Sequence, residues 1–207
     1  MMKYLFFGTC ILHLLASGFF REYFGLSLLT KMIPMAVLLY SVLEKGLSTK
    51  ERKYFFIGLL FSSAGDALLA YENLFVFGLS SFLTAHLFYI TGFSGSSGLH
   101  IFRSLPFYIS GAALGAYIIP IVPENLRIPV SVYMMVLMSM GWRAASRNAN
   151  WISLKYSLIG AFIFILSDTL IAFSKFLHMP MPPFPHFWVM VTYYTGQCLL
   201  WKGVDSV

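Results

Sequence analysis

Acidic side chains are scarce in this sequence: there are eight in 207 residues, only 11% of residues are charged, and mean hydropathy is +0.77. So little charge beside 58% hydrophobic residues excludes the soluble globular class. Cysteine is scarce as well. Cys10 and Cys198 both lie in apolar runs, which excludes a disulfide framework and reads as small packing side chains. Marks of other chemistries are missing. There is no G-x-S-x-G elbow for a serine nucleophile. There is no H-E-x-x-H, and His13, His86, His100, His178 and His186 are scattered, so neither a metal nor a cofactor is expected.

What is abundant is apolar sequence. A hydrocarbon core about 30 Å thick takes about 20 apolar residues per helix. On that measure the chain holds eight candidate spans, at roughly 3–20, 25–43, 54–71, 74–93, 104–122, 128–143, 154–173 and 185–203. They leave no room for a soluble domain, so the expected fold is an all-α polytopic membrane protein, one transmembrane domain over 1–207. The first span, with Lys3 before it and Ala16-Ser17-Gly18 at its end, has the outline of a signal peptide. No clear A-x-A site follows and a second span begins at once, so it is read as the first helix.

The net charge of +6 follows topology rather than a nucleic-acid face. With eight spans both termini share a side, which collects ten basic residues: Lys3, Lys45, Lys50, Arg52, Lys53, Arg103, Arg143, Arg147, Lys155 and Lys202. Arg21, Arg127 and Lys175 are left for the opposite side. This positive-inside asymmetry predicts cytoplasmic termini and contact with membrane lipids. Short loops and lean termini fit a bacterial inner membrane, with the endoplasmic reticulum as the alternative.

The two halves echo one another. Gly65-Asp66-Ala67-Leu68-Leu69-Ala70 corresponds to Ser167-Asp168-Thr169-Leu170-Ile171-Ala172 about half the chain later. Each stretch falls in the third helix of a four-helix half, which allows two pseudo-repeats of like orientation with a site between them. Gly92–Gly98 at the midpoint reads as a flexible join, Pro180–Pro185 as a rigid extended loop, and Gly111-x-x-x-Gly115 as a packing signal.

Asp66 and Asp168 carry the chemical signal. The other six acidic residues (Glu22, Glu44, Glu51, Glu72, Glu124, Asp205) fall in expected loops or the tail. A carboxylate at membrane depth costs several kcal/mol unless it faces a cavity or a partner. Two carboxylates held close in a low dielectric separate into an acid and a base. Lys31 lies well inside a span, placed to offset a carboxylate or meet a phosphate. Phe82, His86 and Tyr89 share a helix face at i, i+4, i+7. Tyr193 and Gln197 share another at i, i+4, with Tyr194 beside them and Tyr133 in the sixth helix. His86 is open to roles as acid, base or tether to Asp66.

These residues fall in a set of motifs: Leu29-Thr30-Lys31-x-x-Pro34, Ser63-x-Gly65-Asp66-x-Leu68-Leu69, Phe82-x-x-x-His86-x-x-Tyr89, Leu166-Ser167-Asp168-x-Leu170-Ile171-Ala172 and Tyr193-Tyr194-x-x-Gln197. In that order the chain resembles the YhhN-like lysoplasmalogenases, eight-helix membrane hydrolases. The resemblance implies cleavage of the vinyl ether of lysoplasmalogens to a fatty aldehyde and glycerophospho-ethanolamine or -choline, with a lysophospholipid substrate drawn from the bilayer. The chemistry suits two carboxyl groups. A vinyl ether resists nucleophiles but yields to protonation at carbon, so one protonated carboxyl and one carboxylate suffice. On this expectation Asp66 and Asp168 are the catalytic pair, with their roles interchangeable. Lys31, His86, Tyr89, Tyr133, Tyr193, Tyr194 and Gln197 bind or orient. A proton- or cation-coupled transporter or channel using the same aspartates is the rival.

Overall fold

A computed structural model describes residues 2–19, 23–95, 98, 100–177 and 185–206. The eight expected helices form: α1 (Met2–Phe19), α2 (Phe24–Glu44), α3 (Lys50–Leu68), α4 (Phe75–Ser94), α5 (Leu105–Ile118), α6 (Glu124–Ala145), α7 (Trp151–Phe176) and α8 (Pro185–Asp205). Single 3-10 turns precede α4 and flank α5 on both sides. The α2–α3 turn closes through Gly46, whose φ of 79° is the left-handed conformation that glycine adopts freely. Thr49 then caps α3 by accepting the Arg52 amide, and Asn150 caps α7 by accepting that of Ser153.

Among the described residues six segments are long and apolar enough to cross a bilayer by themselves: α1, α2, α4 with its leading turn, α5 with both flanking turns, α6 and α7. With large apolar side chains such as Phe7, Ile11, Ile109 and Phe162 facing outward, this is a multi-pass membrane protein. Helix α3 falls short of that apolarity because of the charged run Lys50-Glu51-Arg52-Lys53 at its start. Both α3 and α8 also carry polar residues inward. Ser62, Ser63 and Asp66 on α3, and Tyr193, Tyr194 and Gln197 on α8, are all buried.

Packing is most extensive between α3 and α4 and between α7 and α8, equivalent pairs in the two halves. Small residues permit it. A Cβ on Gly160 would stand 2.8 Å from the Leu200 amide nitrogen, so α7 and α8 touch backbone to backbone there. The Gly111/Gly115 signal is met, Met138 and Met134 of α6 filling the space that those glycines leave on α5. Helix α8 also touches α1, α2 and α3, and α4 packs on α6, so α4 and α8 bring the two halves together.

Some expectations shift. Helix α3 begins at Lys50 rather than 54 and ends at Leu68 rather than 71, which puts Asp66 in its last turn. The midpoint join is shorter than expected because α4 runs through Ser94; Ser96, Ser97 and Leu99 lie outside the described residues, as do Arg21, Glu22 and residues 178–184 of the proline-rich loop. Glu51 is no loop residue: it is buried in the first turn of α3 and bonds the Arg147 guanidinium. That guanidinium also bonds the Ser157 hydroxyl and lies 5.3 Å from the Phe93 ring centroid, tying α3, α4 and α7 together at the end where both termini lie.

Candidate active site

Asp66 occupies the last turn of α3, where main-chain carbonyls lack helical partners. Lys31 of α2 meets both needs of that residue. Its ammonium lies 2.9 Å from Asp66 Oδ1 and donates to the Asp66 carbonyl at 3.2 Å. A cation at a helix C-terminus also opposes the helix dipole. The ammonium has a third proton, and no third acceptor among the described residues. The Tyr194 hydroxyl donates to the Lys31 carbonyl at 3.0 Å, so Tyr194 holds the α2 main chain.

The other oxygen of the carboxyl is left over. Asp66 Oδ2, the Tyr193 hydroxyl and Gln197 Nε2 are buried, and none has a hydrogen-bond partner among the described residues. The Tyr193 hydroxyl stands near both the Asp66 carboxyl and the Gln197 side chain. Behind them Tyr89 donates to Gln197 Oε1 at 3.0 Å and meets Ser62 at 3.2 Å. That fixes the amide with its NH2 group turned to Tyr193. Ser62 was not foreseen. Its place one turn before Asp66, on the same face, is the signal that would have found it.

Asp168 belongs to a separate triad. Tyr133 of α6 donates its hydroxyl proton to Asp168 Oδ2, and His86 Nε2 lies 3.0 Å from the same hydroxyl. Because that proton is committed, His86 donates from Nε2 to the phenol oxygen. Nε2 is 3.6 Å from Asp168 Oδ2, so the phenol stands between imidazole and carboxylate. The tether from His86 therefore runs to Tyr133 and Asp168, not to Asp66. His86 Nδ1 has no partner among the described residues.

The two clusters are neighbours. Phe164 packs edge-on to both His86 and Tyr193, with centroids 5.1 and 5.6 Å away, and Asp168 is near enough for its charge to act on Asp66. Their surroundings differ. Asp66 is 3% exposed and surrounded by polar groups, whereas Asp168 borders an apolar cleft between α4, α6 and α7.

An intramembrane helical bundle with two inward carboxyl groups, one ion-paired and one at an apolar cleft, has the form of a membrane enzyme acting on an apolar substrate. The sequence matches the model of the YhhN family over residues 26–204, and the chain belongs to that family. Relatives include human lysoplasmalogenase TMEM86A, 32% identical over 84% of this chain and 76% of its own length. Human lysoplasmalogenase TMEM86B is 33% identical over 69% of this chain and 59% of its own length. A lysoplasmalogenase of Mycobacterium tuberculosis is 31% identical over 69% and 58%. No solved structure matches.

Proposed function

We propose that this protein is a membrane hydrolase that cleaves the vinyl ether of lysoplasmalogens, with Asp168 as acid and Asp66 as base. The observation that carries the division is the contrast of surroundings: Asp168 borders the apolar cleft, while Asp66 is ion-paired to Lys31 and faces unpartnered polar atoms. An alkenyl carbon belongs beside the first and a water beside the second. The names of the relatives support the reaction class and lend none to the transporter.

Protonated Asp168 gives its proton to the alkenyl carbon one removed from oxygen, leaving an oxocarbenium ion that the Asp66 carboxylate stabilises across the site. A water held by Asp66 Oδ2, Tyr193 and Gln197 Nε2 attacks the cationic carbon and loses a proton to Asp66. In the hemiacetal, Asp66 returns that proton to the departing glycerol oxygen while Asp168 takes the hydroxyl proton. Aldehyde and glycerophospho-alcohol leave, and both carboxyl groups are restored. Lys31 holds Asp66 Oδ1, and its third proton is available to the substrate phosphate. Tyr133 and His86 orient Asp168. We also propose cytoplasmic termini in a bacterial inner membrane, supported by the clustering of Lys and Arg on one side.

The test is purified protein in detergent supplied with lysoplasmenyl-ethanolamine. Aldehyde should be released, and in deuterium oxide it should carry one deuterium on the carbon next to the carbonyl. Release of the fatty chain in any other form, or aldehyde without that deuterium, overturns the mechanism.

A further inference from the structure

The cleft beside Asp168 is narrow, with a cavity volume of about 50 Å³, and opens at its mouth. Its polar lining is confined to one end, where Tyr133 and Asp168 stand; the walls are apolar, formed by Leu69, Leu79, Phe82, Val130, Ile171 and Ala172. At the other end Phe75 and Phe176 meet edge to face with centroids 6.0 Å apart, and the Lys175 ammonium lies 4.3 Å from the Phe75 centroid. From Asp168 to Phe176 is just over two turns of α7, about 12 Å of rise.

We propose that this cleft is the binding site for the single hydrocarbon chain of the lipid substrate, and that the Phe75–Phe176 pair limits the length it encloses. The proposal rests on the hydrolase reading and specifies its binding mode. Three features commit the cleft to a hydrocarbon. Its walls offer no hydrogen bond, so a headgroup would lose its hydration uncompensated. Its carboxyl end coincides with the group that would protonate the first double-bond carbon of such a chain. Its length takes roughly ten extended carbons, from a C–C bond of about 1.5 Å. Longer chains would pass the aromatic pair into the bilayer. The ether oxygen and glycerol then lie toward Asp66 and Lys31.

The test reads binding without hydrolysis. In a Cys10→Ala, Cys198→Ala background, the Ala172→Cys variant is alkylated by a membrane-permeant maleimide in the presence of saturated alkyl-ether lysophospholipids, which cannot be hydrolysed. A sixteen-carbon chain at ten times its dissociation constant should slow alkylation about tenfold, following simple occupancy. A four-carbon chain should protect far less. The Val130→Cys variant probes the facing wall and stands in if the first does not fold. Equal protection by both chains, or none at either position, overturns the proposal. Chain-dependent protection without any aldehyde from the parent protein leaves the cleft standing and removes the hydrolase reading. Aldehyde without protection does the reverse.

Discussion

Buried charge is concentrated in two places in this bundle, near opposite ends of α3, and they are built on different plans. At the end shared by the termini, Glu51 and Arg147 bond one another, the guanidinium also takes the Ser157 hydroxyl, and the Phe93 ring covers it. At the far end, Lys31 holds one oxygen of Asp66, while the other oxygen, the Tyr193 hydroxyl and Gln197 Nε2 are buried without a partner among the described residues. Asp168 nearby opens to a cleft. The first cluster ties helices together. The second keeps hydrogen-bonding capacity for something that is not protein, at a cost of about 1–3 kcal/mol for each buried group left unpaired. The cost of burying charge is similar in kind at both, and each leaves a buried atom without a partner among the described residues, Arg147 Nε at the first and Asp66 Oδ2, the Tyr193 hydroxyl and Gln197 Nε2 at the second. What separates them is that the second adjoins a cleft at Asp168 and the first does not.

Substitution of the aspartates tests this contrast most severely. Asp168→Asn preserves size and accepts from Tyr133, but it cannot give up a proton. Turnover should fall by about 10²–10⁴, as for loss of a general acid, with the thermal midpoint near that of the parent. Asp66→Asn should lose activity on the same scale and also stability, because the Lys31 ammonium loses its counter-charge. Adding Lys31→Met should restore the stability and leave activity lost. An Asn variant that still releases aldehyde at the parent rate removes that aspartate from the mechanism.

The Glu51–Arg147 cluster should respond the opposite way. Removing one partner strands a buried charge, so Arg147→Met should cost about 3–5 kcal/mol, and Glu51→Leu with Arg147→Met should recover most of it. Urea or thermal unfolding in a mild detergent measures this. Aldehyde release per folded molecule should stay within a few-fold of the parent. A large fall in turnover of the folded double variant would make this cluster part of the site and dissolve the contrast.

Much of the far cluster was legible in the sequence because the membrane makes polar residues conspicuous. Asp66, Asp168, Lys31, His86 and Gln197 stand out as ionisable or amide side chains in apolar runs, and helical spacing put Tyr193 with Gln197. The pairing was not legible. Spacing gives the face of a helix but not its neighbour, so a tether from His86 to Asp66 stayed among its open roles, whereas α6 brings Tyr133 and α7 brings Asp168 to it. The Glu51–Arg147 cluster stayed hidden for the reverse reason. Glu51 lies in Lys50-Glu51-Arg52-Lys53, where a charge run reads as solvated, and nothing marks one member as the buried one. The cleft was illegible altogether, since Leu79 or Ile171 lining a cavity looks the same as Leu79 or Ile171 facing lipid.

Within the site a smaller effect tests the unpartnered atoms. Tyr193→Phe removes one hydroxyl that accepts no hydrogen bond from the described residues and donates none. If it served packing alone, the ring contacts with Phe82 and Phe164 would remain and activity would barely change. If it orients the attacking water, losing one bond worth about 0.5–1.5 kcal/mol should slow turnover a few-fold to about tenfold, with unfolding unchanged. A parent-like rate would leave Asp66 and Gln197 to hold the water alone.

The smallest effect belongs to a third ion cluster, which separates burial from pairing at the termini's end. Asp205 at the end of α8 lies 3.5 Å from both the Lys45 ammonium and the Arg52 guanidinium, joining α8 to the ends of α2 and α3. In geometry it does what Glu51 does, bringing helix ends together through a carboxylate and basic partners. It differs in exposure: the Lys45 side chain is 53% and that of Asp205 27% exposed, against 0% for Arg147. Water reaches the Lys45 ammonium, and Arg52 keeps its hydrogen bond to the Lys45 carbonyl, so the charges left behind by a substitution of Asp205 are rehydrated or still bonded rather than stranded. Asp205→Asn should therefore cost only about 0.2–1 kcal/mol, less at high salt, where Arg147→Met costs several times more. Unfolding both variants at low and high salt checks this. A loss at Asp205 as large as that at Arg147, and as insensitive to salt, would mean that the number of ionic ties rather than their burial holds this end of the bundle.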